Sequence, residues 1–361
     1  MSIPIRNIYY LLCYAWEKPL KGRDRIATSP ISGNRVENLL GTVLDSWVTD
    51  LTRRGLDRGY VDVEEEGRKF RGKLLVKESL SRILLPQGRV ACRIDELSYD
   101  VPHNRVVKAA LHSLINLPSL DGTLRGRLRA HWVKFAGVSD ERLSPKLFRQ
   151  VQLHQNVAHY AFLINVARLI ERSMFPDQRT GQLRFHPFTE SSQILGHLFE
   201  SFVRNFLRRE QADFKVASKK VPWDIDLSSS SDPSWLPEMR TDIVLQCPSR
   251  RIVIETKCEG NPLSDRRFSG TSEVERKKLK NSHLYQLMSY LMHLSADEGA
   301  RPEGLLLYAD VDQIPNLTYR LGGFTLMVRS LNLNQEWPNI HRNILELVSE
   351  LSGGQEAQIS A

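Results

Sequence analysis

Apolar residues recur at helical spacing along much of the chain. The clearest stripe in the second half starts just after Gln193 and consists of Leu195, Leu198, Phe199, Phe202, Val203 and Phe206. Positions three and four residues apart share one face of an α-helix, so this stripe predicts an amphipathic helix. Similar patterns predict further helices over 7–16, 36–52, 104–117, 124–135, 157–174 and 281–294.

Two-residue alternation and short apolar runs predict the strands. In the first half, 73–76 and 89–94 flank Pro86-Gln87-Gly88, which favours two strands joined by a turn. In the second half, 241–246, 251–258 and 304–308 predict three short strands. The predicted fold class is therefore α/β, with an α+β first half followed by a core in the order helix, strand, strand, helix, strand.

The length and charge of the chain limit the classes of protein to which it can belong. A chain of 361 residues with 41% hydrophobic residues can fill the cores of two domains. Its formal net charge of +8 favours a polyanionic partner, with nucleic acid ahead of an anionic membrane. No membrane partner is predicted, because the longest unbroken apolar run, 8–16, is about half of what spans a bilayer.

The cysteine and glycine patterns exclude several kinds of site. The four cysteines form no CxxC pair and stand near no histidine spacing that would hold zinc. We therefore expect a cytoplasmic protein with reduced thiols. No GKS or GKT loop that would cradle nucleotide phosphates is present, so the chain is not expected to hydrolyse nucleotides by itself.

Three charged residues interrupt the first two apolar strands of the second half. The segment 246–251 between these strands contains proline and serine and favours a hairpin. If its two end residues pair, Asp242 falls opposite Glu255, and opposite residues of an antiparallel pair have Cβ atoms about 5 Å apart. Lys257 shares their face, because strand side chains repeat every two residues.

This cluster predicts metal-assisted hydrolysis of a phosphodiester. Two carboxylates about 5 Å apart repel by roughly 3 kcal/mol at an effective dielectric of about 20. A divalent cation reverses that repulsion, and oxygen ligands favour Mg²⁺, with Mn²⁺ as the alternative. Asp242 and Glu255 are the predicted metal ligands, and Lys257 places the attacking water or stabilises the phosphorane. The spacing also occurs by chance in many proteins, but acidic residues inside apolar strands favour function.

Further residues are candidates for supporting roles. Glu200 lies at the edge of the apolar stripe, where it can lean toward the strand cluster or serve as an ordinary exposed helix residue. Gln286 and Tyr290 lie one helical turn apart and can contact DNA or orient Lys257, although packing and capping explain them equally well. The candidates for neutralising DNA phosphates, in a charge run that also suits a solvated face, are Arg266, Arg267, Lys277, Lys278 and Lys280.

Short motifs occur in a fixed order along nearly the whole chain. They are IRNIYYLL (5–12), YAW (14–16), RRGL (53–56), RGK (71–73), NRVVK (104–108), LP (236–237), Met239, TDI (241–243), LYQLM (284–288) and NQEWP (334–338). Together they resemble the McrC family, the nuclease subunits of McrBC-type modification-dependent restriction systems. That family is a member of the PD-(D/E)xK nuclease superfamily.

The resemblance implies a fold, a site and partners. It implies a PD-(D/E)xK restriction-endonuclease-like core over 156–361, with a mixed central sheet flanked by helices. It implies that Asp242, Glu255 and Lys257 are catalytic, although this chain has Glu-Thr-Lys where the family has Asp-Ala-Lys, and Thr241 where the superfamily name has proline. It further implies DNA carrying modified cytosine as substrate, and a hexameric AAA+ GTPase partner engaged by residues 1–155.

Three functions remain open at this level. The leading one is a DNA endonuclease subunit of a GTP-dependent, methylcytosine-directed restriction complex that also stimulates its partner GTPase. The second is a catalytically inert subunit that binds DNA and activates the GTPase. The third is a stand-alone DNA repair nuclease of the same superfamily. Dependence of DNA cutting on Asp242 and on the partner distinguishes them.

Overall fold

The computed structural model describes residues 3–16, 35–176, 183–225, 232–259, 263–264, 278–295, 301–310 and 314–353. Its α-helices are α1 (Ile5–Ala15), α2 (Val36–Arg54), α3 (Val76–Ser81), α4 (Pro102–Ile115), α5 (Gly122–Val133), α6 (Pro145–Gln150), α7 (Ala161–Ser173), α8 (Ser192–Glu210), α9 (Asn281–Leu294) and α10 (Trp337–Gly353). Its β-strands are β1 (Gly59–Gly67), β2 (Lys73–Leu74), β3 (Val90–Ser98), β4 (Met174–Pro176), β5 (Leu183–Phe185), β6 (Lys215–Ala217), β7 (Lys220–Val221), β8 (Met239–Arg240), β9 (Ile243–Gln246), β10 (Arg251–Lys257), β11 (Leu263–Ser264), β12 (Lys278–Leu279), β13 (Glu303–Asp310), β14 (Leu317–Leu321) and β15 (Phe324–Asn332). No helix in the described ranges is both long and apolar enough to cross a membrane.

The chain divides into two compact units. The insert unit comprises Ile26–Pro187, and the sheet unit combines Met1–Arg25 with Phe188–Ala361. This division differs from the boundary predicted after residue 155, because α7 packs against α4 and α2 within the insert unit. The first helix belongs to the sheet unit because it packs against α8, and local sequence patterns do not report contacts between such distant segments.

The insert unit combines a small sheet with packed helices. Its sheet has the order β1-β3-β2, and β1 pairs with β3 along nine residues, with Gly59 opposite Ser98. The sequence pattern does not predict β1, because its acidic side chains meet arginines instead of an apolar core. Glu66, for example, accepts hydrogen bonds from Arg82 (2.9 Å) and Arg89 (3.2 Å). Helices α2, α4, α5 and α7, whose presence the apolar patterns predict, pack together in this unit.

The connection predicted between the strands at 73–76 and 89–94 is wrong. The first strand ends at Leu74, and the chain forms helix α3 before it enters β3 at Val90. Leu75, Leu84 and Ala91 form a small buried cluster that supports this arrangement. Local alternation favours a strand over 73–76. The chain turns into a helix instead because this lets Leu75, Leu84 and Ala91, which are separated along the chain, pack together.

A six-stranded mixed sheet forms the centre of the sheet unit. The strand order is β14-β15-β13-β10-β9-β6, with β13 parallel to both β10 and β15 and the other pairs antiparallel. Helix α8 packs against β10 and β6, α9 against β13 and β10, and α10 against β15. The predicted α/β class, with a mixed sheet flanked by helices, is confirmed. The pattern analysis missed β6, β14, β15 and α10.

Helix α1 is a core element of the sheet unit. The Tyr14 ring packs against Phe202 and Phe206 of α8, with ring centroids 5.9 and 5.1 Å away. The buried Asn7 side chain donates hydrogen bonds to the carbonyls of Leu333 (2.8 Å) and Gln335 (2.7 Å). These contacts explain why α1 is apolar on nearly every face, since a helix surrounded by protein needs no polar side.

Candidate active site

Three main-chain contacts fix the chain immediately before Asp242. The N–H of the buried Thr241 donates to the carbonyl of Lys219 (3.0 Å), and Thr241 Oγ1 accepts from the N–H of Lys219 (3.0 Å). Ser218 Oγ donates to the carbonyl of Thr241 (2.6 Å). Thr241 thus anchors this strand end through its hydroxyl and its backbone.

The hairpin of β9 and β10 has the predicted register. Gln246 lies opposite Arg251, and the ladder runs to Ile243 opposite Ile254. Asp242 and Glu255 are the next residues along the two strands. Both acidic residues therefore follow the ladder at the same end of the strand pair.

The Asp242 carboxylate is held by Thr256. Its Oδ2 atom accepts hydrogen bonds from the Thr256 N–H (2.8 Å) and the Thr256 hydroxyl (2.7 Å). Burial raises the pKa of Asp242 above its usual range, and the negative charge of Glu200 adds to the rise. The two bonds from Thr256 oppose that shift. Sequence reasoning missed this role, because alternation places the side chain of Thr256 on the face opposite Glu255 and Lys257.

Glu255 and Lys257 form an ion pair beside Asp242. The Lys257 ammonium lies 2.7 Å from Glu255 Oε1, and only 2% of the Glu255 side chain is exposed. Burial, followed by the charge of Asp242, raises the pKa of Glu255 to about 7, while Lys257 opposes the rise. The other carboxylate oxygen, Oε2, is buried and has no hydrogen-bond partner among the residues that the structure describes. A buried, unpaired carboxylate oxygen indicates a position suited to a cation.

Helix α9 supplies two of the candidate supporting residues. Lys257 Nζ donates to Gln286 Oε1 (2.9 Å), and Gln286 Nε2 donates to the Tyr290 hydroxyl (3.1 Å). Of the uses considered for Gln286, the structure therefore places it where it orients Lys257. The chain Tyr290–Gln286–Lys257 links α9 to the end of β10.

Glu200 reaches the same cluster from α8. Its negative charge raises the pKa of both Asp242 and Glu255, as follows from its proximity. Its Oε1 atom accepts a hydrogen bond from Arg204, which also donates to the main-chain carbonyl of Asp242 (3.3 Å). Sequence reasoning missed Arg204, although its position four residues after Glu200 is the spacing of a helical ion pair.

The predicted DNA-contacting residues are only partly described. Arg266, Arg267 and Lys277 lie outside the described residues. Lys278 is exposed in β12, next to the start of α9. Lys280 forms an ion pair with Glu259, so part of its charge is used within the protein.

The donor set fits a hard divalent cation. The half-buried Asp242 and the buried Glu255, both with raised pKa, supply anionic oxygens that a cation would satisfy, including Glu255 Oε2, which has no partner among the described residues. Among the described residues, no group of three or more histidine, cysteine or acidic side chains is already arranged around one point as a metal site. Glu200 is instead paired with Arg204. A cation would therefore be held by Asp242 and Glu255.

Comparison with known proteins places the chain in a family. The profile described as "McrBC 5-methylcytosine restriction system component" matches residues 10–309, most of the chain. The chain belongs to this McrBC family. One relative is the "Type IV methyl-directed restriction enzyme EcoKMcrBC" of Escherichia coli (strain K12). It is 32% identical to this chain over 348 residues, which cover 96% of this chain and 98% of the relative.

A solved structure shares the fold of this McrBC family member. It is a chain of the refined half-complex from a tetradecameric assembly of Thermococcus gammatolerans McrB AAA+ hexamers with bound McrC. The match has a TM-score of 0.53 and 16% identity, and covers 96% of this chain and 76% of that one. The resemblance to the McrC family drawn from the motifs is confirmed by the family match.

Proposed function

We propose that this chain is the DNA-cutting subunit of a McrBC-type restriction complex and hydrolyses phosphodiester bonds with the help of Mg²⁺ or Mn²⁺. The observation that carries the proposal is the convergence of Asp242, Glu255 and Lys257 at one end of the β9–β10 pair. Family membership independently supports a restriction enzyme. A sheet with a purely structural role rarely buries acidic side chains such as Glu255.

Each residue of the cluster has a task in the proposed reaction. Asp242 and Glu255 would hold the cation, which when bound neutralises charge on the scissile phosphate and lowers the pKa of a water molecule. Lys257, fixed by Gln286 and Glu255, holds an ammonium group where negative charge develops on the phosphate or where a water needs a donor. Thr256 keeps Oδ2 of Asp242 in one orientation.

The proposed substrate and partner follow from the family. The family description names a 5-methylcytosine restriction system, so DNA carrying 5-methylcytosine is the proposed substrate. A McrB-like hexameric AAA+ GTPase is the proposed partner, since the solved assembly with the shared fold contains McrB AAA+ hexamers with bound McrC. We assign the partner contact to the insert unit, in which the region 73–94 holds β2, α3 and the start of β3.

One cleavage assay tests the proposal against its alternatives. Methylated DNA is incubated with the chain, a McrB-like partner, GTP and Mg²⁺, and each component is omitted in turn or the metal removed by a chelator. We expect cutting only in the complete mixture. Cutting without partner or GTP indicates a stand-alone nuclease. Complex formation and GTPase stimulation without any cutting indicate an inert DNA-binding subunit.

Removing the Thr256 hydroxyl is expected to weaken cleavage. Thr256→Val keeps the side-chain shape but deletes the 2.7 Å bond to Asp242, leaving only the backbone N–H donor. Loss of a residue that orients a metal ligand typically reduces metal affinity or activity about 10- to 100-fold. Thr256→Ser retains the hydroxyl and should recover most of the rate. Equal cleavage by the Val and Ser variants at limiting Mg²⁺ contradicts this role.

The raised pKa of Glu255 predicts how stability changes with pH in the absence of metal. Between the usual pKa near 4.5 and the folded value of about 7, the folded state binds more protons than the unfolded state, so stability falls as pH rises. As the pH rises over this range, the free energy of unfolding of Glu255→Gln should therefore increase relative to that of the parent protein, by roughly 2 kcal/mol. Urea unfolding from pH 5 to 8 with a chelator measures it.

The matched control for this pH effect is Glu96→Gln. Glu96 is exposed in β3, so the substitution should follow the parent at every pH. Saturating Mg²⁺ should reverse the stability difference between the parent and Glu255→Gln, because a bound cation favours the ionised carboxylate of Glu255. A Glu255→Gln variant whose stability relative to the parent does not change with pH shows that the carboxyl titrates normally.

A further inference from the structure

Arg204 occupies one side of the acidic cluster. Its guanidinium contacts Glu200 Oε1, and the same nitrogen donates to the carbonyl of Asp242 at 3.3 Å. Its second terminal nitrogen lies 3.4 Å from Ser201 Oγ. Only about a fifth of the Arg204 side chain is exposed (21%), so its charge acts in a partly desolvated place. The guanidinium therefore bridges α8 and the strand that carries Asp242.

The two sides of the cluster differ in how their oxygens are used. On the α8 side, Glu200 Oε1 binds Arg204, and Glu200 Oε2 lies 3.6 Å from His197 Nδ1. On the strand side, Glu255 Oε2 is buried, and no described residue hydrogen-bonds to it. A cation has an unused oxygen to bind on the strand side, whereas Arg204 already satisfies the carboxylate on the α8 side.

The charges of the cluster point the same way. When ionised, Glu200, Asp242 and Glu255 carry three negative charges, and Arg204 with Lys257 supplies two positive ones. One divalent cation leaves a single positive charge, which matches the single negative charge of one phosphodiester. Two divalent cations would leave three positive charges. Uncompensated charge in a partly buried site is energetically costly.

We propose that this site holds a single divalent cation, between Asp242 and Glu255, and that Arg204 takes the place at Glu200 that a second cation would need. Two-metal nucleases use carboxylates shared by cations about 3.5–4 Å apart. Here the third carboxylate is committed to a guanidinium. The inference rests on the proposed function, because it assigns the number of cations to that same site.

Mn²⁺ binding to the full chain, followed by calorimetry and by electron paramagnetic resonance, tests this assignment without relying on cleavage. We expect the parent protein to bind one Mn²⁺ per chain and Asp242→Asn to bind at least 10-fold more weakly. Arg204→Met frees Glu200 and should add a second, weaker Mn²⁺. Arg204→Lys keeps a positive charge and should remain at one. Arg208→Met, one turn along α8, is the matched control and should also remain at one.

The possible outcomes separate the inference from the function on which it rests. Two Mn²⁺ ions on the parent protein, or one ion on a folded Arg204→Met variant, overturn the single-cation assignment while leaving a metal-dependent nuclease in place. Equal Mn²⁺ binding by the parent and Asp242→Asn overturns the proposed metal site itself. If Arg204→Met does not fold, as judged by thermal unfolding, the stoichiometries of the parent and of Arg204→Lys decide.

Discussion

Asp242→Asn is expected to slow DNA cleavage by about 1000-fold while leaving the folded protein at least as stable as the parent. The amide keeps the size and the acceptor oxygen that Thr256 uses, but removes one of two anionic ligands. Losing several kcal/mol of transition-state stabilisation corresponds to roughly three powers of ten in rate. Stability is maintained because burial and the negative charge of Glu200 both disfavour the ionised form of Asp242, and the neutral amide does not incur this cost. Single-turnover cleavage with partner, GTP and Mg²⁺ measures the rate, and thermal unfolding measures the stability.

Asp213→Asn provides the matched control for this substitution. Asp213 is exposed in the same unit and accepts a hydrogen bond from Ser352 (2.8 Å), far along the chain from the strand cluster. The Asp213→Asn variant should cut DNA at the parental rate.

Lys257→Met should lose cleavage as Asp242→Asn does, and both variants should still assemble with the GTPase and stimulate it. Parental cleavage by correctly assembled Asp242→Asn complexes means that the cutting site lies elsewhere.

Leu12→Ala is expected to destabilise the sheet unit by about 3 kcal/mol. Leu12 is fully buried in α1, and truncating a buried leucine removes its apolar burial and leaves a cavity, at a cost of about 2–5 kcal/mol. Helix α1 packs against α8, which carries Glu200 and Arg204, so cleavage should fall with stability. Hydrogen exchange should show lost protection in peptides from 188–353.

Leu80→Ala is the control, because more than half of the Leu80 side chain is exposed (58%) in the insert unit. Its effect on unfolding should stay within about 0.5 kcal/mol. The comparison also tests the assignment of α1. If Leu12→Ala loosened 36–176 instead of 188–353, the first helix would belong with the partner-engaging region, as the sequence boundary at 155 predicts.

The parts of the site that the sequence predicts are those set by local geometry. The short connection between β9 and β10 fixes their register, and two-residue alternation then places Asp242, Glu255 and Lys257. Helix α9 is predicted to its ends by apolar spacing. The roles of Arg266, Arg267 and Lys277 stay predictions, because these residues lie outside the described ranges.

The sequence by itself determined the α/β class, the hairpin and the three charged residues at its open end, because each depends on neighbours a few positions apart. Only the tertiary structure decided that Thr256 binds Asp242, that Arg204 donates to the carbonyl of Asp242, and that α1 belongs with the second half of the chain. These contacts join distant segments, and those of α1 reach 328 residues along the chain, as between Asn7 and Gln335. Such pairings depend on the tertiary fold, and the periodicity of hydrophobic residues along the chain does not encode them.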